Sequence, residues 1–340
     1  MTYTLKDFDY PFDPSLIAMY PMSERDSSRL LVLDRENNRI EHRKFYEIGE
    51  YLREGDLLIL NNTRVIPCRL IGKKEHTGGA IELLLIKRVD EDVWEVMLKG
   101  KTTNGIRIIF SSLLNCEVLS RKDEYTIVKF NYDGDWDTIL SETGNIPIPP
   151  YIRRKPVDGD KEWYQTVYAL NNGSIAAPTA GLHFTEKLLF ALKSKGIIIA
   201  AVTLHVGAGT FKPVKVESIY EHKMHPEYFE VSNELADTIM RVKENGGRVV
   251  AVGTTSARAL EQAGIKGEVQ AGKGETSIFI YPGFKFNMVD AMITNFHLPK
   301  STLLMLVMSL AGRERILKAY SEAVSLRYRF YSYGDAMLII

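Results

Sequence analysis

The chain has few cysteines and no predominant charge of either sign. Cys68 and Cys116 are the two cysteines in 340 residues, and they form neither a CxxC pair nor a cysteine framework. This usage indicates a reduced, cytoplasmic protein. Lysine plus arginine and aspartate plus glutamate each number 43, so the formal net charge is zero. The overall charge therefore does not indicate a nucleic-acid-binding protein, although a local basic face would be sufficient for one.

Long hydrophobic segments are also missing. The longest apolar run, residues 303 to 311, is interrupted by Ser309 and is too short to cross a bilayer. The first residues, MTYTLKDFDYPFD, are polar and acidic and lack the apolar region of a signal peptide. We therefore expect neither a membrane span nor an export signal.

Two regions of the chain show different sequence patterns. Between residues 63 and 150, short β-rich runs such as AIELLLIKR and YTIVKF are separated by glycine, asparagine and aspartate, which is typical of a small barrel or sandwich. After residue 160, the apolar runs IIIAAVTL and RVVAVG alternate with helical patterns that end at glycine, such as TEKLLFALKSKG. Strands that alternate with helices indicate an α/β sheet.

The length of 340 residues favours two domains. We predict a discontinuous α/β domain, residues 1–62 and 151–340, with residues 63–150 inserted as a small β-barrel domain. Three sequential modules are the alternative. Insertion is favoured because the first 62 residues alone offer little core.

Polar loops follow apolar runs at four places. Three contain a histidine: His183 in AAPTAGLHFT, His205 in VTLHVGAGTF and His297 in ITNFHLPKST. The fourth is GTTSARALE. Ligands of open α/β sheets bind outside the carboxyl ends of the strands, so these loops are predicted to form one pocket. Histidines at strand ends also serve structural roles, and the pattern alone leaves both interpretations open.

Other loop residues have either a ligand-binding role or an ordinary structural one. Gly207 and Gly209 would let backbone approach a ligand, or they form an ordinary turn. Thr254, Thr255 and Ser256 are either an N-cap or the start of a helix whose N–H groups bind an anion.

His222 and His225 have i, i+3 spacing, but no HExxH or acid–His pattern completes a metal site. We therefore predict no metal, and place this pair either against a substrate or on the surface. Basic clusters at Lys73-Lys74, Lys99–Lys101 and Arg153–Lys155 are either solvated surface or a stripe that follows phosphates.

Taken together, these motifs resemble the S-adenosylmethionine:tRNA ribosyltransferase-isomerase family of the queuosine pathway. The matching stretches include GDLLILNNTRVIPCRL, GSIAAPTAGLHFT, TLHVGAGTF, GTTSARALE, ITNFHLPKSTLLMLVMSLAG and YRFYSYGDAMLI. They are spread over nearly the whole chain. Residues 87–140 match least well: where the family usually carries a Pro–Ala–Lys-like stretch after Trp94, this chain reads MLKGKTTNG, which affects RNA contacts more than chemistry.

The resemblance implies an α/β domain with an inserted β-barrel and a specific reaction. The ribosyl group of S-adenosylmethionine is transferred to 7-aminomethyl-7-deazaguanine (preQ1) at the wobble position of tRNA and isomerised. Epoxyqueuosine forms, and adenine and methionine are released. S-adenosylmethionine is then a consumed substrate, and no cofactor, metal or obligate protein partner is expected of what would be a monomer.

The resemblance also implies site residues. Proton transfers are assigned to the groups in matching motifs, without a step for each: His183, His205, His297 and Asp335. Substrate contacts are assigned to Asn61, Asn62, Thr63, Arg64, Thr179, Gly181, Gly207, Gly209, Thr210, Thr254, Thr255, Arg258 and Asn295. A non-catalytic tRNA-binding relative is the alternative. A nucleotide-dependent oxidoreductase is disfavoured because the chain lacks a GxGxxG turn with an acidic residue at the right distance.

Overall fold

The computed structural model describes residues 2–122, 125–211 and 214–340. Its strands are β1 (Arg29–Asp34), β2 (Arg39–Lys44), β3 (Leu57–Asn61), β4 (Thr63–Val65), β5 (Arg69–Lys74), β6 (Ala80–Arg88), β7 (Val93–Lys99), β8 (Arg107–Ile109), β9 (Leu114–Arg121), β10 (Thr126–Tyr132), β11 (Asn171–Ser174), β12 (Ile198–Leu204), β13 (Glu227–Val231), β14 (Val249–Val252), β15 (Gly272–Thr276), β16 (Ala291–Asn295) and β17 (Ala336–Ile339). Its α-helices are α1 (Trp136–Thr143), α2 (Asp160–Trp163), α3 (Glu186–Ser194), α4 (Asn233–Glu244), α5 (Gly253–Ala263), α6 (Thr302–Ala311) and α7 (Arg313–Ser325).

The chain forms two compact units. The first contains Met1–Arg64, Pro150–Lys155 and Trp163–Ile340, and the second contains Val65–Pro149 and Pro156–Glu162. The first unit holds a nine-stranded sheet in the order β15-β13-β12-β3-β14-β16-β17-β1-β2, and the second a closed six-stranded barrel. The predicted fold class, an α/β sheet together with a small β-barrel, is confirmed.

Four central strands of the large sheet run in the same direction. β3 pairs in parallel with β12 and β14, and β14 pairs in parallel with β16. All four are rich in Leu, Ile, Val and Ala and are covered on both faces, as parallel sheets require. Because they are parallel, their carboxyl ends meet at one edge of the sheet.

Alternate side chains of these strands enter two separate apolar clusters. Ile59, Ala251 and Met292 pack with helices α4, α5, α6 and α7 on one face. Leu58 and Ile293 pack with α3 on the other face. Helices cover both faces of the sheet, so the loops that can bind a ligand are those at the edge where the carboxyl ends of the strands meet.

The barrel closes in the order β10-β7-β6-β5-β8-β9. Its strands alternate buried and exposed residues, as in β6, where Ile81, Leu83 and Leu85 point inward. Cys116 lies in this core, and Cys68 is buried just before β5; both are free thiols. In the described part of the chain, no helix is long and apolar enough to cross a membrane.

Helix α5 begins earlier than an N-cap at Thr254–Ser256 would allow. It starts at Gly253, whose φ of +86° suits glycine, and Val252 in the N-cap position provides no side-chain cap. The N-cap interpretation is therefore wrong, because all three hydroxyl residues lie inside the first turns. The N–H groups at this helix start have no side-chain cap of their own.

Candidate active site

Three of the four predicted loops lie at the same edge of the large sheet: His205 follows β12, Gly253 follows β14 and His297 follows β16, and Asn61 ends β3 at that edge. These strands are mutually parallel neighbours, so the loops follow their carboxyl ends as expected for a ligand-binding edge. The fourth loop, which carries His183, follows β11, a strand that pairs with β4 in a separate two-stranded sheet.

His183 is held by hydrogen bonds to both ring nitrogens. Its Nδ1 lies 2.8 Å from Ser28 Oγ, and its Nε2 lies 3.1 Å from Nδ2 of Asn295. The amide of Asn295 also donates to the carbonyl of Tyr331 at 3.1 Å and accepts from Thr179 Oγ1 at 2.9 Å. A carbonyl can only accept, so Asn295 presents its NH₂ group to His183. His183 is therefore the tautomer with hydrogen on Nδ1, which donates to Ser28.

The environment of His183 keeps its imidazole uncharged. The side chain is buried and stacks on Phe45 with ring centroids 4.9 Å apart. Burial, followed by the nearby positive charge of Arg329, lowers its pKa from 6.5 to about 3. The ring lines a small cleft together with Ser28, a residue that sequence reasoning missed. The cleft has a volume of about 20 Å³, which is enough for a water molecule.

Arg258 and Glu227 form a buried ion pair beside the start of α5. Nη1 of Arg258 bonds Oε2 of Glu227, and the two side chains are 6% and 5% exposed. Oε1 of Glu227 accepts the backbone N–H of Gly207 at 2.9 Å. Within the described residues, Nε and Nη2 of Arg258 have no hydrogen-bond partner. A buried guanidinium with two unused donors is costly unless a ligand completes it.

A second unused polar group lies one turn before Arg258. Oγ1 of Thr255 is buried and has no partner among the described residues. The same helix start reaches the turn that carries His183, because a Cβ built on Gly253 would lie 3.5 Å from Ala180 Cβ and 3.6 Å from Thr255 Oγ1. The helix start and the His183 turn are therefore neighbours.

Gly181, in the 3₁₀ turn Thr179–His183, is packed against Tyr168. A Cβ built there would lie 2.0 Å from the Tyr168 hydroxyl oxygen and 2.9 Å from Cγ2 of Thr166. The Tyr168 hydroxyl is buried without a partner among the described residues. Gly181 thus maintains a close approach that any side chain would prevent.

We expect Gly181→Ala to lower the free energy of unfolding by about 1–3 kcal/mol, because the added methyl group overpacks this contact. Combining it with Tyr168→Phe removes the oxygen that collides and should restore part of the loss, as measured by urea denaturation. Tyr168→Phe alone serves as the control and should be nearly neutral. Equal instability of the single and double variants would show that the hydroxyl is not the obstacle.

His205 belongs to a separate cluster at the ends of β3 and β12. Its Nδ1 lies 2.7 Å from Thr63 Oγ1, and its ring stacks on Tyr228 at 5.2 Å. Burial lowers its pKa, and Glu230 opposes that change. Asn61 is fully buried; its amide oxygen accepts from the N–H groups of Thr63 and Leu204 and its nitrogen donates to the Leu204 carbonyl. Asn61 therefore joins two strands.

The remaining predicted contacts lie nearby. Asn62 accepts hydrogen bonds from Thr203 and Asn171, while exposed Arg64 donates to the carbonyl of Ala169. Thr254 is buried in the first turn of α5, and Thr210 is exposed. Gly209 packs against His225, since a Cβ there would lie 2.7 Å from its ring. Each is a neighbour of a loop described above, and its substrate contact stays a prediction.

His297 lies on the opposite side of β16 from His183. Its Nε2 is 2.8 Å from Oγ1 of Thr294, whereas Asn295, the next residue, reaches His183. The Tyr10 hydroxyl donates to the carbonyl of His297 at 2.6 Å, and the N–H of His297 donates to the Tyr320 hydroxyl at 3.0 Å. Burial lowers its pKa to about 3. The structure thus separates the two histidines that the sequence placed together.

Asp335 is buried in a network of arginines. One carboxylate oxygen accepts the N–H of Arg29 at 2.9 Å, and the other accepts the N–H of Arg329 at 2.7 Å and Nε of Arg29 at 3.1 Å. These bonds tie the turn before β17 to the start of β1. Asp335 can orient the His183 cleft, whose wall includes the neighbouring Gly334.

The sequence places His222 and His225 either against a substrate or on the surface, without a metal. Among the described residues, no group of three or more His, Cys, Asp or Glu side chains is arranged to hold a metal ion. His222 instead lies edge-on against Phe279, with ring centroids 5.4 Å apart.

Comparison with known proteins gives one consistent result. The profile of a family described as queuosine biosynthesis protein matches residues 5–339. The chain is 56% identical to the S-adenosylmethionine:tRNA ribosyltransferase-isomerase of Clostridioides difficile (98% of this chain, 99% of the relative) and 54% identical to that of Acetivibrio thermocellus (98% and 99%). The crystal structure of a Thermotoga maritima S-adenosylmethionine tRNA ribosyltransferase is similar, with 40% identity, a TM-score of 0.58 and coverage of 98% of this chain and all of that one.

Proposed function

The chain belongs to the queuosine biosynthesis protein family, and from this we propose that it is an S-adenosylmethionine:tRNA ribosyltransferase-isomerase. It transfers the ribosyl group of S-adenosylmethionine to the amine of preQ1 at the wobble position of tRNA and isomerises it, giving epoxyqueuosine, adenine and methionine. S-adenosylmethionine is consumed, and the protein acts without a metal or cofactor, as a cytoplasmic monomer.

The buried guanidinium of Arg258 is the observation that best supports this substrate. It lies near an uncapped helix start, with Nε and Nη2 unused among the described residues and the Thr255 hydroxyl close by. A helix N-terminus and a guanidinium together favour a carboxylate. The methionine carboxylate of S-adenosylmethionine is the group we place there. Glu227 holds the guanidinium in position from the other side.

The chemistry also needs proton transfers. The sulfonium acidifies the neighbouring ribose protons, adenine leaves more readily when protonated, and the attacking amine must be neutral. His183 is the base that we assign within the predicted set, since it lines a cleft; Nε2, its one nitrogen with a lone pair, exchanges the hydrogen bond from Asn295 for the substrate proton. Asn295 and Ser28 fix its tautomer. His297 and Asp335 act as positioning residues behind it, and His205 serves the neighbouring cluster.

We expect His183→Ala to lower kcat by about 10²–10⁴-fold, the usual contribution of a general base. Thermal unfolding should first show that the variant is folded. His297→Ala provides the comparison, because its ring lies on the other side of β16 and should affect turnover less. Full turnover in a folded His183→Ala protein would remove His183 from the mechanism.

The proposed function is tested with purified protein, S-adenosylmethionine and a tRNA that carries preQ1. Adenine release and the mass of the modified nucleoside are followed together. Release of adenine with the mass gain of the epoxycyclopentane group supports the proposal. Tight tRNA binding without consumption of S-adenosylmethionine would identify a non-catalytic tRNA-binding relative.

A further inference from the structure

An open groove lies on the first unit, beside the His183 cleft. It has a volume of about 490 Å³ and is formed by the segment from Ser15 to Ser23 together with Arg327 and Arg329. This volume is within the range of small-ligand sites. None of the residues that line it in the described structure is acidic, so the groove favours an anion.

An exposed aromatic ring projects from this groove. The side chain of Tyr20 is 49% exposed. The guanidinium of Arg154 lies 4.3 Å from the centre of its ring, and Trp163 contacts it edge-on at 6.3 Å. Arg329 donates to the Tyr20 carbonyl, and Arg154 donates to that of Met19 at 2.8 Å. Two arginines therefore fix the backbone that presents the ring.

Arg327, which also lines the groove, carries a charge that is accessible to solvent. The Arg327 side chain is 68% exposed; it forms an ion pair with Asp13 at the rim at 3.7 Å and donates to Ser15 Oγ at 3.4 Å. Solvent-exposed contacts of this kind are weak, so a phosphate can compete with them. Arg327 adopts a left-handed backbone conformation with φ of +52°, which places it at the turn after α7. An exposed guanidinium in the same groove as an exposed aromatic ring suits a nucleic-acid backbone with unpaired bases.

The groove is continuous with the catalytic cleft. Pro21 and Met22 line both, while His183 and Trp163 line only the cleft. The cleft, at about 20 Å³, is too small for a base, whereas the groove is large enough for one. A chain that occupies the groove therefore passes next to His183 without filling the cleft.

We propose that this groove binds unpaired nucleotides of the tRNA adjacent to the modified base, with one base on the ring of Tyr20 and a phosphate near Arg327. The inference rests on the proposed function, since it assumes a tRNA substrate. Sequence-specific RNA recognition commonly stacks unpaired bases on aromatic rings, and arginines track the backbone. Of the three basic clusters that the sequence suggested, only Arg153–Lys155 belongs to the first unit, and its Arg154 packs on the ring of Tyr20.

We expect Tyr20→Ala to weaken binding of a preQ1-containing tRNA by about 5- to 100-fold, the effect of removing one base–aromatic stack. Tyr20→Phe keeps the ring and should bind within about twofold of the wild type. Arg327→Glu should weaken binding and lower the slope of log Kd against log salt by about 1. Fluorescence anisotropy measures all three.

Arg53→Glu is the matched control. Arg53 is exposed, precedes β3 at the opposite edge of the sheet and undergoes the same charge change, so its tRNA affinity should remain unchanged. Binding of S-adenosylmethionine, measured by calorimetry, should be normal in every variant. Normal tRNA affinity and salt slope in both Tyr20→Ala and Arg327→Glu would overturn the groove assignment. Lack of adenine release by the wild type would instead overturn the proposed function.

Discussion

Replacing Arg258 with methionine should lower the free energy of unfolding by about 3–5 kcal/mol, because the change leaves Glu227 buried without its cation. Both side chains are almost inaccessible, and Glu227 has no other charged partner within hydrogen-bonding distance among the described residues. The same variant should bind S-adenosylmethionine at least about tenfold more weakly, since a hydrogen bond to a charged group contributes about 1.5–3 kcal/mol. Chemical denaturation and calorimetry measure the two effects.

A double variant separates the structural role of Arg258 from its role in binding. Glu227→Gln removes the buried charge and keeps an oxygen that can accept from the N–H of Gly207. Arg258→Met with Glu227→Gln should therefore regain much of the stability but none of the affinity for S-adenosylmethionine. If affinity returned together with stability, Arg258 would serve only the fold.

Arg248 offers a matched control for this experiment. It pairs with buried Asp56 at 2.5 Å and lies before β14, at the edge of the sheet opposite the predicted site. Arg248→Met should also destabilise the protein, because Asp56 is 2% exposed. Affinity for S-adenosylmethionine should nevertheless be retained in the folded fraction. A comparable loss of affinity in this variant would mean that instability alone explains the Arg258 result.

The sequence predicts the sheet edge well because its signals are local. Apolar runs that end in polar loops mark the carboxyl ends of β3, β12, β14 and β16, and parallel pairing brings those ends together. The barrel is predictable for the same reason, since alternation and turn residues mark each strand. Both kinds of signal depend on residues that are close in sequence.

The partners of the site residues are harder to predict because they are distant in sequence. Glu227 is 31 positions from Arg258, and Ser28 is 155 positions from His183. In the stretch EHKMHPE the histidine spacing is the feature that suggests a site, whereas the second glutamate, Glu227, forms the ion pair with Arg258. Nothing in the local pattern distinguishes that glutamate from a solvated one.

The separation of His183 from His297 has a partly predictable cause. Successive strand residues point to opposite faces, so Thr294 and Asn295 cannot serve the same side of β16. The sequence could therefore have assigned these two polar residues to different clusters. Which histidine joins which cluster depends on the loop conformations, and only the structure supplies that information.

Acidification from pH 7 to pH 5 should lower the free energy of unfolding by about 4 kcal/mol, through His183 and His297 alone. Burial lowers the pKa of each to about 3 in the folded protein, whereas an unfolded histidine titrates near 6.5. Between these values the unfolded chain binds more protons, so stability is complete above pH 6.5 and falls with pH. Each histidine contributes about 1.4 kcal/mol per pH unit over about 1.5 units.

Urea denaturation between pH 7 and pH 5 measures this slope, and glutamine variants assign it. His183→Gln and His297→Gln should each flatten the profile by about one proton, even though both variants start from a lower stability at pH 7. His76→Gln is the control, because the His76 side chain is 90% exposed and takes part in neither histidine cluster. Burial also lowers the pKa of His205 and His222, which adds to the wild-type slope, and raises the pKa of Glu261, which opposes it, so the glutamine variants and not the total slope carry the assignment. Variant profiles as steep as the wild-type profile from pH 6.5 to pH 5 would show that the two imidazoles accept protons while folded, and would require a more open His183 cleft than the one described.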